Sequence, residues 1–503
     1  MTVINRTMYP LQSSMDLINK MTDQFSTLEQ QLATGNKAST LADMGSSRYQ
    51  DLSLRASSSR IDSYSSSIDM VNTRLNVFNT VASQLSTVES STSSSMTPSA
   101  YGSSDGNFGS APALASSNLD QVVNLLDTDV NGRYLFSGQD TDTVPVPDTQ
   151  TLINGADGKA GFAQVASERQ QADVGDGLGR LTLSSAADTV TLAEDGATPF
   201  GFKLSTVTAN SSAVSVTQPN GTAPQSTAIQ FTGVPTAGDT VTVNMTLPDG
   251  TSDNVTLTAV SGTAGAGQFQ IGADADSTAA NFQSALQGSL TTEAGTTLVA
   301  ASNNEAANNF FNGQGQPVQR VQGPDFAHAT ALVTADPTNT VMWYQGGDAA
   351  DARSSITAKI DDSTTISYGA QANENGTVNL VRGLAVMAIQ NFSTSDATSA
   401  GRFDAIASRN QSRLSPTHDS EPGSINMLTV QLGNTQATVN TISTLHTAYQ
   451  SQLQNAIGDI ETVPQDQVAS QLLALQTQLE ATYQATALVS KLSLVNYLGS
   501  ANL

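Results

Sequence analysis

The sequence predicts a multidomain α plus β chain in which long N- and C-terminal helices pair as a coiled-coil or helical-bundle rod and a β-rich insert occupies the middle. Three observations carry this. Apolar residues at both ends recur with a spacing near 3.5, and the middle alternates apolar and polar residues with a period of 2. The length of 503 residues also exceeds the roughly 250–300 at which a single core stops growing.

At the start, Ile4, Met8, Leu11, Met15, Ile18, Met21, Phe25, Leu28 and Leu32 step by three or four residues, which gathers them on one helix face. Gly35 supplies the stop, because glycine takes the left-handed conformation that ends helices. A stricter seam follows at Ile61, Tyr64, Ile68, Val71, Leu75, Phe78, Ala82 and Leu85, where faultless alternation of three and four holds one side toward a partner helix for about 37 Å. Pro98, the Gly-rich 101–109 stretch and Pro112 interrupt it. A shorter helix carries Ala115, Leu119, Val122 and Leu126 toward a helix-ending turn at Asn131-Gly132.

Beyond Pro145 the period changes. Val241, Val243, Met245 and Leu247 alternate with polar residues, Pro248-Asp249-Gly250 forms a turn, and Val255, Leu257 and Ala259 alternate again, the pattern of a hairpin with one buried face. A short helix around Phe282 and Leu286 covers that sheet, and a turn-rich stretch near 301–325 divides the insert into two lobes. Trp343 is read as core of the insert rather than as an exposed binding patch.

Helical spacing returns with Val378, Val381, Ala385, Ala388 and Phe392, then with Phe403 and Ile406 up to Arg413. Two long helices close the chain. One carries Val439, Ile442, His446, Tyr449, Leu453, Ala456 and Ile460; Pro464 breaks it, and Val468, Leu472, Leu475, Leu479 and Tyr483 mark the next. The first and last helices have similar length and no partner near them in sequence, so they are expected to pair and to leave apolar surface for neighbouring subunits. The expected division is 1–45 with 465–503 as a terminal domain, 46–145 with 370–464 as a helical bundle domain, and 146–369 as the β-rich insert.

Composition excludes several functions. With 20 Lys and Arg against 44 Asp and Glu, a net charge of -24 repels phosphate backbones, so nucleic acid is not an expected partner. No cysteine is present, which removes disulfides, thiolate metal sites and Cys nucleophiles. No stretch approaches the roughly 18 apolar residues of a membrane span. Residues 1–7 do not begin a cleavable secretory signal, so any export is expected to use another route.

No catalytic, cofactor or metal set emerges. Asp127-Thr128-Asp129-Val130-Asn131-Gly132 starts like a calcium loop, but Gly138 stands where a bidentate Glu is needed, so a turn is expected. His328, His418 and His446 are isolated from one another, and His446, on a helix stripe, is read as a packed core or interface residue. Asp274-Ala275-Asp276 is read as a helix start before Ser277. The expectation is a protein that is not an enzyme.

Three stretches resemble the flagellin superfamily, and within it the hook-associated protein 3 type found at the hook-filament junction. They are Leu28-Glu29-Gln30-Gln31-Leu32-Ala33-Thr34-Gly35, then Asn131-Gly132-Arg133-Tyr134-Leu135-Phe136-Ser137-Gly138, and Leu492-Ser493-Leu494-Val495-Asn496-Tyr497-Leu498. The first is similar to flagellins generally, the other two to the junction type. The resemblance covers roughly 1–145 and 370–503 and leaves the insert without support. It implies paired termini forming an inner layer of a tube, export through the flagellar type III apparatus without a cleaved signal, and a place outside the cell at the junction. It further implies a ring of copies, with hook-associated protein 1, flagellin and an export chaperone as partners.

On this reading Ile4, Met8, Leu11, Met15, Ile18, Phe25, Leu28 and Leu32, with Leu472, Leu475, Leu479, Leu492, Val495 and Leu498, face neighbouring subunits. Ile61, Tyr64, Ile68, Val71, Leu75, Phe78 and Leu85 hold the subunit itself together. The expected function is a structural subunit of an adaptor ring. The alternatives are flagellin itself or a surface adhesin displayed by the insert.

Overall fold

The computed structural model describes residues 9–98, 107–312 and 317–499, with side chains over 12–98, 109–312 and 317–492. In chain order the helices are α1 (Tyr9–Thr34), α2 (Arg48–Ser95), α3 (Ala111–Leu126), α4 (Thr149–Asn154), α5 (Phe162–Val174), α6 (Ala275–Glu293), α7 (Val299–Phe310), α8 (Asn375–Ala388), α9 (Ser399–Arg413), α10 (Ile425–Glu461) and α11 (Gln465–Gly499). The strands are β1 (Asp129–Val130), β2 (Arg133–Tyr134), β3 (Leu181–Ala186), β4 (Thr189–Glu194), β5 (Lys203–Ala209), β6 (Val214–Thr217), β7 (Ser226–Phe231), β8 (Thr240–Thr246), β9 (Ser252–Val260), β10 (Gln268–Gln270), β11 (Gln319–Val321), β12 (Leu332–Thr334), β13 (Thr357–Lys359) and β14 (Thr365–Ser367). The chain is a mixed helix and sheet protein with long terminal helices and a β-rich centre.

One compact unit gathers Met1–Met70, Lys359–Thr364 and Thr438–Leu503. Gly35 ends α1 at φ +73°, its N–H donating to the Gln31 carbonyl at 2.8 Å. The end of α10 meets this turn: Lys37 N–H donates to the Glu461 carbonyl at 2.6 Å, and Val463 N–H to the Gly35 carbonyl at 2.9 Å. Pro464, which cannot continue a helix, then separates α10 from α11. Arg55 Nε donates to Asp51 Oδ2 at 3.2 Å and to Glu461 Oε1 at 3.0 Å, so the buried Asp51 carboxylate and the end of α10 share one guanidinium. Further along, the Gln450 amide donates to Ser58 Oγ at 2.7 Å, and His446 lies beside the Tyr64 ring with centres 5.9 Å apart.

The second unit comprises Val71–Ala358 and Thr365–Ala437. Its part of α2 buries Val71, Leu75, Phe78, Ala82 and Leu85, while the Gln436 amide donates to Asn72 Oδ1 at 2.6 Å. α3 buries Ala115, Leu119, Val122 and Leu126 and packs on α8, which buries Val378, Val381 and Ala385. Phe392, placed by periodicity on the same helix, falls beyond its end at Ala388. Arg402 Nη2 donates to the Asn391 carbonyl at 3.1 Å, and the next residue, Phe392, meets Phe403 of α9 edge-on at 5.7 Å.

The insert is built on two four-stranded sheets, β3-β4-β7-β6 and β10-β9-β8-β5. Pairing is antiparallel except between β9 and β10. The alternating hairpin is β8 and β9: Val241 pairs with Leu257 and Val243 with Val255, all buried, and Gly250 takes φ +79° in the turn. β-branched residues favour this pleated, half-buried setting. Phe231, Phe269 and Phe282 meet at 5.2–6.0 Å where α6 covers the sheets. Asp274 caps α6 by accepting the Ser277 N–H at 2.8 Å.

The insert holds more helix than alternation indicates. Residues 301–310, expected to begin a turn-rich divider, lie in α7, and α4 and α5 occupy a stretch expected to be strand-rich. α7 buries Ala300, Ala301, Ala306 and Ala307, small residues that let it approach α5 closely but leave no bulky apolar stripe to read. The side chain of the turn residue Asp249 is buried and accepts from Arg409 Nε of α9 at 2.6 Å and from the Asn304 amide of α7 at 3.2 Å. Burial pushes its carboxyl up, and the hydrogen bonds and charge of Arg409 and Thr251 outweigh that and hold it below the usual range.

Glu89 of α2 carries a stability consequence. Burial, and then the Asp419 carboxylate, raise its carboxyl to about 7. A raised carboxyl binds its proton more tightly in the folded state, so the associated stability is present below the ordinary value of 4.5 and is lost as pH rises through about 7. Glu89→Gln is expected to remove this dependence and to stabilise the protein at pH 8 by about 1 kcal/mol, the shift being discounted for partial solvent screening. Urea unfolding of both proteins at pH 5 and pH 8 checks it; an equal difference between them at both pH values would refute it.

Candidate subunit interface

α1 and α11 pack along one another, with Met21 exposed by only 4% and Val468 by 3%. Thr482 Oγ1 reaches Met21 Sδ at 3.8 Å. Around these two anchors Ile18, Phe25, Leu28, Leu32, Leu472, Leu475 and Leu479 are half-buried, while Met15 and Leu492 are exposed. Ile4 and Met8 lie outside the described residues, as do the side chains of Leu11, Val495 and Leu498.

The pair leaves further apolar side chains bare that the heptad stripe does not contain: Leu17, Leu473, Leu488 and Val489, with Leu473 63% exposed and Leu488 62%. The signal for them is the doublet. Leu472-Leu473 puts one residue on the stripe and the next about 100° away, and Leu488-Val489 follows beyond the stripe's last member, Tyr483, so α11 carries apolar groups on more than one face. A helix of that kind is normally covered on more than one side.

Of the expected seam, Ile61 and Ile68 are buried in the first unit and Val71, Leu75, Phe78 and Leu85 in the second. Tyr64 is half-buried and its hydroxyl donates to Asp362 Oδ1 at 2.9 Å.

Asn131 to Gly138 does a different job from the helices. Asn131 at φ +56° and Gly132 at φ +75° form the two-residue turn between β1 and β2, the geometry tight hairpins favour, so the turn belongs to a hairpin and α3 has already ended at Leu126. Gly132 N–H donates to Asp129 Oδ2 at 2.7 Å, which occupies that carboxylate locally. Arg133 is exposed and Tyr134 half-buried. Phe136 is fully buried edge-on against Phe78 at 5.4 Å. The following backbone is tied on two sides: Ala372 N–H donates to the Phe136 carbonyl at 2.9 Å, Gly138 N–H to the Ala370 carbonyl at 3.0 Å, and Gly347 N–H to the Ser137 carbonyl at 2.9 Å. At Gly138, φ is +58° and a Cβ would sit 2.3 Å from the Gly347 carbonyl oxygen, so only glycine fits.

The histidines are dispersed. His328 and His418 are exposed beside Asp325 and Glu421, whose hydrogen bonds raise both imidazoles. His446 is buried in its helical unit, and Trp343 is buried edge-on against Phe311 at 5.8 Å with its Nε1 donating to the Asn312 carbonyl. Among the described residues no helix is long and apolar enough to cross a membrane.

No match to a curated protein was found. Residues 4–141 match the model of the bacterial flagellin N-terminal helical region, the span that holds α1, α2, α3 and the β1-β2 turn. Proteins of that family are structural rather than enzymatic and are assembled outside the cell. The match supports placing this chain in the flagellin superfamily, as a structural subunit of the bacterial flagellum.

Proposed function

We propose that the chain is a subunit of the adaptor ring at the hook-filament junction, exported without a cleaved signal and assembled through its terminal helices. The observation that carries the reading is the α1/α11 pair, whose apolar side chains are left partly or largely exposed from Met15 to Leu492. Burying a fully exposed leucine is worth about 1.5–3 kcal/mol and a partly covered one proportionally less, and second copies of the same helices are the natural cover. The resemblance of residues 131–138 and 492–498 to the junction type favours a ring over a filament. In this reading hook-associated protein 1 lies on one side, flagellin on the other, and a chaperone shields the helices before export. Residues 1–45 with 465–503 form the inner layer, 46–145 with 370–464 the second layer, and 146–369 a module apart from the assembly contacts.

Immunogold labelling of intact flagella tests this. A single band near the cell-proximal end of the filament is expected; staining along the filament length would overturn the junction reading. The second reading is flagellin, favoured by the family model matched over residues 4–141, and growth of long filaments from purified protein would support it.

A further inference from the structure

We infer that a pocket on the first unit receives a basic side chain from a second copy of this chain, an inference that rests on the subunit reading above. The pocket has a volume of about 360 Å³ and opens between α2, α10 and the 359–364 turn. Its walls are Tyr64 and Tyr449, its polar groups Asp361, Asp362, Arg60 and His446. Asp362 is engaged, accepting from the Tyr64 hydroxyl at 2.9 Å and standing 3.8 Å from Arg60 Nη1. Among the described residues the side chain of Asp361 has His446 Nε2 as its partner, at 3.4 Å. One guanidinium thus stands against two carboxylates, and the pocket keeps a negative surplus.

Aromatic faces beside such a surplus suit a cation, which the ring quadrupole attracts and the carboxylate pairs. Tyr449 is 47% exposed and the neighbouring Leu445 58% exposed, giving the aliphatic stem of a lysine or arginine an apolar surface to lie on. His446 is buried, and its Nδ1 has no partner among the described residues, so the floor is not closed by internal hydrogen bonding.

The source follows from charge. In a chain of net charge -24, an acidic pocket repels most of a second copy's surface and admits only its few unpaired cations. The same unit offers Lys20 on α1, Arg48 at the start of α2 and Lys491 on α11, all exposed and without an ion pair among the described residues. Where one copy's pocket takes the knob of the next without returning its own, the contact is head-to-tail and propagates into a ring or helix.

The test uses the full chain with a photo-cross-linking benzoylphenylalanine at position 449, and in parallel at position 475, irradiated under assembly conditions and mapped by mass spectrometry. Position 449 is expected to link to peptides of a second copy bearing Lys20, Arg48 or Lys491. Asp361→Asn with Asp362→Asn, and separately Tyr449→Ala, are expected to weaken self-association about tenfold in sedimentation with unchanged helical circular dichroism. Links between copies from 475 but none from 449 would overturn the pocket and leave the subunit reading standing. Links from 449 only to other proteins would also overturn it, and no links between copies from either position would overturn both.

Discussion

Phe136→Ala is expected to destabilise the second unit by about 3–5 kcal/mol, the upper range for large-to-small core substitutions. The ring is fully buried and meets Phe78 of α2 edge-on at 5.4 Å and 76°, an aromatic pair worth about 0.5–1.5 kcal/mol beyond the area it buries. What makes the site costly is its inability to collapse. The backbone around Phe136 is hydrogen-bonded to residue 372 and, through Ser137 and Gly138, to residues 347 and 370, so the segment cannot move in to fill the void. Phe136→Leu keeps most of the volume and is expected to lose less than half as much. Urea unfolding followed by Trp343, the sole tryptophan and a buried member of the same unit, measures both. A loss below about 1 kcal/mol for the alanine variant would mean that the tie relaxes after all.

The elements legible in the sequence are those whose apolar residues are bulky and regular. The seam from Ile61 to Leu85 and the hairpin of Val241 to Ala259 announce themselves because branched and aromatic side chains repeat at the period of the element they build. α7 escaped because between Val299 and Phe310 at its two ends its buried face is alanine, serine and asparagine, which carry no period when weighed by hydrophobicity. The ion pair of Asp249 with Arg409 escaped because its members lie 160 residues apart, and a Pro-Asp-Gly run looks complete as a turn without it. At the termini the heptad stripe was legible, but the second apolar face of α11, at Leu473, Leu488 and Val489, was not. A search for a single stripe assigns the adjacent residue to solvent by default.

Leu475→Asp is expected to abolish assembly while leaving the second unit folded. Leu475 is half-buried in the α1/α11 pair, so in the isolated subunit a carboxylate there still reaches water and costs little. In an assembly that covers the pair, the same carboxylate loses its hydration without a partner, a penalty of several kcal/mol repeated at every contact. Self-association, read by sedimentation, is therefore expected to fall by at least about a hundredfold, since each 1.4 kcal/mol is a factor of ten, with Trp343 fluorescence unchanged. Leu473→Asp separates two explanations: its side chain is already 63% exposed, so loss of assembly from that variant would mean that neighbours cover the second face as well. If the Leu475→Asp protein assembles normally and restores motility in a strain lacking the wild-type chain, the half-covered helix pair is not where subunits meet, and the apolar surface left along α11 requires a different partner.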